Sequence, residues 1–129
     1  MSTAEDPIPS FQGGPNIAMK IPPADYESTL RFYRDVVGLP QLDSYKPDNV
    51  FQFGPSLLWL DCMPELKQTE IWLELLASDT TLASDYLSRA GVERCDSVEM
   101  LPPGFNGFWV RSPASTVHLI TGQRESPPA

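Results

Sequence analysis

Two apolar runs each set a tryptophan beside carboxylates: Trp59 with Asp61 in Leu57–Cys62, and Trp72 between Glu70 and Glu74 in Glu70–Leu76. In a β-strand, side chains of one parity share a face. Trp59 and Asp61 therefore share one side, as do Glu70, Trp72 and Glu74. The same rule sets Asn16, Ala18 and Lys20 against Ile17, Met19 and Ile21, and Thr116, His118 and Ile120 against Val117 and Leu119. One face is aliphatic. The other mixes carboxylates, an amide, an ammonium, an imidazole and two indoles, as small-molecule pockets do. A half-exposed wet sheet is the alternative, although two tryptophans on a solvated face would be a liability. The expected ligand-binding residues are Asn16, Lys20, Trp59, Asp61, Glu70, Trp72, Glu74 and His118.

Two kinds of chemistry are open to such a set. The indoles supply stacking area, and the carboxylates favour an aromatic or cationic molecule. Glu70 beside His118 would be a carboxylate–imidazole base. Alternatively His118, the single histidine, is simply hydrogen-bonded to Glu70 or Thr116. No catalytic residue is assigned.

These residues need strands and helices to position them. Fourteen prolines punctuate the chain but avoid Asp25–Val37 and Asp79–Ala90, the two predicted helices. Asp25 and Asp79 are the expected N-caps, and Gly38 and Gly91 the expected terminators. Strand-like runs occupy Asn16–Ile21, Gln41–Tyr45, Val50–Phe53, Leu57–Cys62, Glu70–Leu76, Glu93–Val98, Gly107–Arg111 and Thr116–Ile120. Asn16 and Glu70 are 54 positions apart, as are Asp25 and Asp79, which marks a twofold repeat. The expected fold class is therefore α+β: two tandem βαβββ modules, about 15–62 and 70–121, in one domain spanning 15–122. Residues 1–14 and 123–129 are expected to be a flexible arm and tail.

Composition narrows the function. Nine basic against seventeen acidic side chains give a net charge of −8, which disfavours nucleic acid and anionic membranes as partners. No apolar run is long enough to span a bilayer. The acidic start after Met1 lacks the apolar core of a secretory leader, so a cytoplasmic location is expected. Gly13-Gly14 is no phosphate loop, and no serine has a nucleophile-elbow setting. Cys62 and Cys95 lack metal or redox spacing and are expected to be buried packing residues. Arg111 is expected to serve as an ion-pair partner.

Asn16-Ile-Ala-Met-Lys-Ile with Tyr26-Glu-Ser-Thr-Leu-Arg-Phe-Tyr-Arg-Asp-Val-Val-Gly-Leu-Pro40 resembles the opening module of the vicinal oxygen chelate superfamily. That group includes glyoxalases, extradiol dioxygenases and bleomycin-resistance proteins. Glu70-Ile-Trp-Leu-Glu-Leu, Gly107-Phe-Trp-Val-Arg-Ser-Pro113 and Thr116-Val-His-Leu-Ile resemble its second module. The likeness covers about residues 16–121. It implies a curved mixed sheet, a half-barrel with helices outside, and a homodimer. It also implies a divalent metal such as zinc, manganese or nickel at the positions of Asn16, Trp59, Glu70 and His118. Trp59 has no lone pair to offer, asparagine is a poor ligand, and one histidine excludes a two-histidine dioxygenase centre. The expectation is thus a metal-independent binding protein for a small organic molecule, as bleomycin-resistance proteins are. The alternative is a metal-dependent glyoxalase-like lyase or isomerase, with Glu70 and His118, helped by Glu74 or Asp61, as half of a weak zinc or manganese site.

Overall fold

The computed structural model describes residues 8–122; residues 1–7 of the expected arm and the expected tail at 123–129 lie outside them. Among the described residues, seven strands and two α-helices follow one another as β1 (Phe11–Ile21), α1 (Pro23–Arg31), β2 (Asn49–Phe53), β3 (Ser56–Cys62), β4 (Glu70–Ala77), α2 (Thr80–Arg89), β5 (Glu93–Arg94), β6 (Gly107–Arg111) and β7 (Val117–Gly122). The strands form one open, mixed sheet in the order β2-β3-β1-β4-β7-β6-β5. The fold class is α+β. By contacts, the chain divides into two units: Pro15–Leu73, and the residues up to Gly14 together with those from Glu74 onward.

In the Pro15–Leu73 unit, Pro23 occupies the first turn of α1, where its missing N–H costs nothing. Asp25 therefore lies inside the first turn and is not the cap; its carbonyl accepts the Ser28 and Thr29 hydroxyls at 3.1 and 2.7 Å. The helix continues as a π-helical turn over Phe32–Val37 and ends at Gly38, which takes φ 76° as a left-handed terminator must. Ile21, Leu30, Phe51, Leu58 and Leu60 form the buried core beneath α1, with Ile17, Met19, Tyr26 and Tyr33 packed against them. The aliphatic parity of β1 and β3 thus faces the helix, as the alternation predicts. The Tyr26 hydroxyl donates to the Leu60 carbonyl at 3.0 Å and accepts from Asn49 at 2.8 Å. Burial, the largest cause, pushes its phenol pKa up. Gln41 makes only an isolated bridge to Phe51, and Asp43–Tyr45 is a 3-10 turn in place of the expected strand. Asp43 and Pro47 are turn formers that outweigh the β-propensity of the run.

In the other unit Asp79 caps α2, its carboxylate accepting from the Leu82 N–H at 2.9 Å. Ala77, Ala83, Phe108, Val110 and Ile120 form its core, with Phe11, Leu75 and Leu87 against them. Residues 11–14, expected in a flexible arm, are instead the start of β1. Phe11 packs 6.3 Å from the Tyr86 ring, and that burial orders the segment. The run Glu93–Val98 forms only two strand residues before turning into a 3-10 helix at Asp96–Val98. Asp96 explains the break, because its carboxylate accepts the Trp109 N–H at 3.0 Å in place of a ladder carbonyl.

The cysteines divide: Cys95 is buried, whereas Cys62 is exposed, contrary to expectation. It is the last residue of β3. Burial, the largest cause, also raises the Cys95 pKa, so its thiolate is scarce at neutral pH. One thiol of the two should react rapidly with Ellman's reagent, and the other at least about tenfold more slowly until denaturant is added. Two equally fast thiols would contradict this packing.

Candidate functional site

The parallel pairing of β1 with β3 sets Ala18 opposite Trp59 and Lys20 opposite Asp61. These positions have the parity opposite to the core residues, so they occupy the face turned away from α1. Register brings the expected residues together there. Trp59 Nε1 donates to Asn16 Oδ1 at 2.8 Å. Lys20 Nζ donates to Asp61 Oδ2 at 2.8 Å and lies 4.4 Å from the Trp72 ring centroid. Trp72 Nε1 in turn donates to Glu70 Oε1 at 2.9 Å. Six of the eight expected residues therefore fall into two bonded groups on this face: Asn16 with Trp59, and Asp61, Lys20, Trp72 and Glu70.

Exposure separates their roles. Lys20 is 2% and Trp72 4% exposed. Both are interior props, and the ammonium already takes the cation–π position over Trp72. Trp59 is only half-buried, and the Tyr45 ring meets it edge-on, with centroids 5.1 Å apart. The Trp59–Tyr45 pair is the accessible aromatic platform. Tyr45 escaped the sequence reading because the 3-10 turn that presents it reads as a strand; the Asp43 and Pro47 turn signals could have pointed to it.

Glu74 and His118 lie in the other unit and on opposite faces of the sheet there. Glu74 is 6% exposed and packs on the backbone of Gly14, where an added Cβ would collide with its carboxylate. His118 is paired across the ladder with Val110 and lines a cleft of about 140 Å³ with Leu75, Leu87 and Val92. It thus faces α2, which corrects the expected orientation of β7. The two faces of this strand are both apolar and buried: Ile120 enters the α2 core, and Val117 is 1% exposed on the other side. Aliphatic content consequently could not tell which face meets the helix. The His118 ring Nδ1 lies 3.0 Å from the Thr116 carbonyl, one of the two expected partners. Arg111 pairs with Glu93 at 3.6 Å. On β4, Leu75 packs beneath α2, but Ile71 and Leu73 are 41% and 39% exposed and are not helix-covered as expected.

The positions that the resemblance assigns to a metal do not fit one. The Asn16 carbonyl oxygen accepts an indole N–H, the Trp59 position offers only that donor, and a Glu70 oxygen accepts from Trp72. His118 is turned toward α2. Among the described residues, no three His, Cys, Asp or Glu side chains converge as ligands would.

No protein-family model matches the chain, and no curated protein matches it in sequence. Solved structures do match in fold. The Mn(II)-bound glyoxalase of Novosphingobium aromaticivorans superposes with a TM-score of 0.56 at 17% identity, covering 88% of this chain and 41% of its own. The chain thus spans less than half the length of that protein. A glyoxalase/bleomycin resistance protein/dioxygenase superfamily member from Vibrio splendidus 12B01 gives 0.54 at 10% identity, covering 83% and 97%. Methylmalonyl-CoA epimerase from Mycobacterium tuberculosis gives 0.55 at 12% identity, covering 88% and 89%. At these identities the likeness is one of architecture, and it agrees with the repeated strand and helix order: the chain has the vicinal oxygen chelate fold.

Proposed function

We propose that the chain is a metal-independent binding protein for a small aromatic molecule, held on the face of β1, β3 and β4 that carries Asn16, Lys20, Trp59, Asp61, Glu70 and Trp72. The observation that carries this reading is the half-exposed Trp59 ring, fixed by its hydrogen bond to Asn16 and braced by Tyr45. A fixed indole loses little entropy when a planar ligand stacks on it. Asp61 and Glu70 lend acidic character, but Lys20 and the Trp72 N–H already engage them. Stacking therefore outweighs charge, and a positive ligand gains less than the net charge of the chain suggests. The reading includes a homodimer, for which Ile71 and Leu73 offer exposed apolar surface; light scattering should then return twice the chain mass.

Thermal shift and tryptophan fluorescence titration with 1-naphthol and tryptamine test the binding. A ligand present at a hundred times its Kd should stabilise the fold by about 2.7 kcal/mol. Trp59→Ala should weaken binding about tenfold or more, and Tyr45→Ala somewhat less, whereas His118→Ala should leave it unchanged. The same assay with Mn²⁺, Zn²⁺ and Ni²⁺ is the counter-test. Stoichiometric stabilisation by an ion, lost in Glu70→Gln, would replace this reading with a metal-dependent lyase or isomerase. Titrations indifferent to Trp59→Ala would overturn it outright.

A further inference from the structure

A second concavity, in the unit from Glu74 onward, lies between the first turns of α2 and the start of β6. It is a shallow depression, open to solvent, of about 330 Å³, lined by Thr80, Ser84, Asp85, Arg94, Phe105 and Asn106, among others. Its walls are fixed. Arg94 donates Nε to Asp96 at 3.0 Å and Nη1 to Ser84 Oγ at 2.8 Å, and its guanidinium carbon lies 4.4 Å from the Phe108 ring centroid. Asn106 accepts from the Thr80 hydroxyl, and its amide rests on Gly122, where a Cβ would collide with it. Phe105 lies against Gly107 in the same way: an added Cβ there would come within 2.7 Å of its ring. Two glycines thus admit the amide and the phenyl ring to the places they occupy.

The geometry points to this concavity as a binding site for a neutral polyhydroxylated molecule of monosaccharide size. Planar Asp, Asn and Arg side chains can each engage neighbouring hydroxyls, and the 39% exposed Phe105 offers a ring for the C–H face of a pyranose. The volume is at the small end for ligand sites. An anion is disfavoured, because Arg94 is already neutralised by Asp96 at 2.7 Å and Asp85 lines the same space.

The test is amide chemical-shift perturbation on the full chain with D-glucose, D-galactose, D-mannose and N-acetylglucosamine, and with inorganic phosphate as the competing class. At least one sugar should shift the Asn106 side-chain amide and the Gly107 and Ser84 resonances. Phe105→Ala and Asp85→Asn should each weaken that response about tenfold while the amide spectrum keeps the dispersion of the parent. Thr81→Val, at the rim of the same cavity, should leave the fold intact and reduce it less. If no sugar moves these resonances, or if phosphate moves them as strongly as any sugar, the assignment is wrong.

Discussion

Asp61→Ala should lower the unfolding free energy by about 3 kcal/mol, measured by urea denaturation. The reason is the environment of its partner. The Lys20 side chain is 3% exposed, and Asp61, at 29%, meets its ammonium at 2.8 Å. Removing one member of a buried pair costs more than the pair contributes, because the remaining charge loses compensation in a site that water does not reach. The exposed pairs give the contrast. Lys46–Asp43, with side chains 58% and 85% exposed, should cost under about 1 kcal/mol when Asp43→Ala breaks it. Lys20→Met should fall between the two: it removes the buried charge and keeps the apolar stem, but gives up the cation–π contact with Trp72. If Asp61→Ala and Asp43→Ala prove equally mild, Lys20 is not held by Asp61, and the connected surface from Asp61 through Lys20 to Trp72 is not a structural unit.

That surface was legible in the sequence where one parity was plainly aliphatic. Ile17, Met19 and Ile21, and likewise Leu58 and Leu60, could only face a helix, which sent Asn16, Lys20, Trp59 and Asp61 to the other side. The 54-residue repeat carried the order of elements for the same reason: each module must cover its own aliphatic face. The reading failed where both faces are buried. In β7, Val117 and Ile120 lie on opposite sides and are both inaccessible, so nothing local distinguishes the side that meets α2, and His118 came out inverted. It failed again where a tertiary contact decides local structure. Phe11 becomes strand because it finds Tyr86, and Asp96 ends β5 by capturing the Trp109 N–H. Neither partner can be identified from neighbouring residues.

The largest effect should come from the core that fixes the sheet beneath Trp59. Phe51→Ala should cost about 4 kcal/mol. Phe51 is fully buried and lies directly across the ladder from Leu58, with the Tyr33 ring 6.2 Å away. The cavity left by the phenyl ring is hard to fill by collapse. Its walls include Leu58 and Leu60 on β3, a strand bonded on both edges, by β2 and by β1. Leu30 could approach only by moving α1, which the Tyr26 hydroxyl tethers to Leu60. Phe51→Leu should cost less than about 1.5 kcal/mol, since it keeps most of the volume. Val36→Ala, at 76% exposed, should stay within about 0.5 kcal/mol of the parent. A Phe51→Ala cost below about 2 kcal/mol would mean that α1 settles onto β3 after all. The scaffold under the Trp59 platform would then be compliant, and the low entropic cost of stacking on a fixed indole would no longer apply.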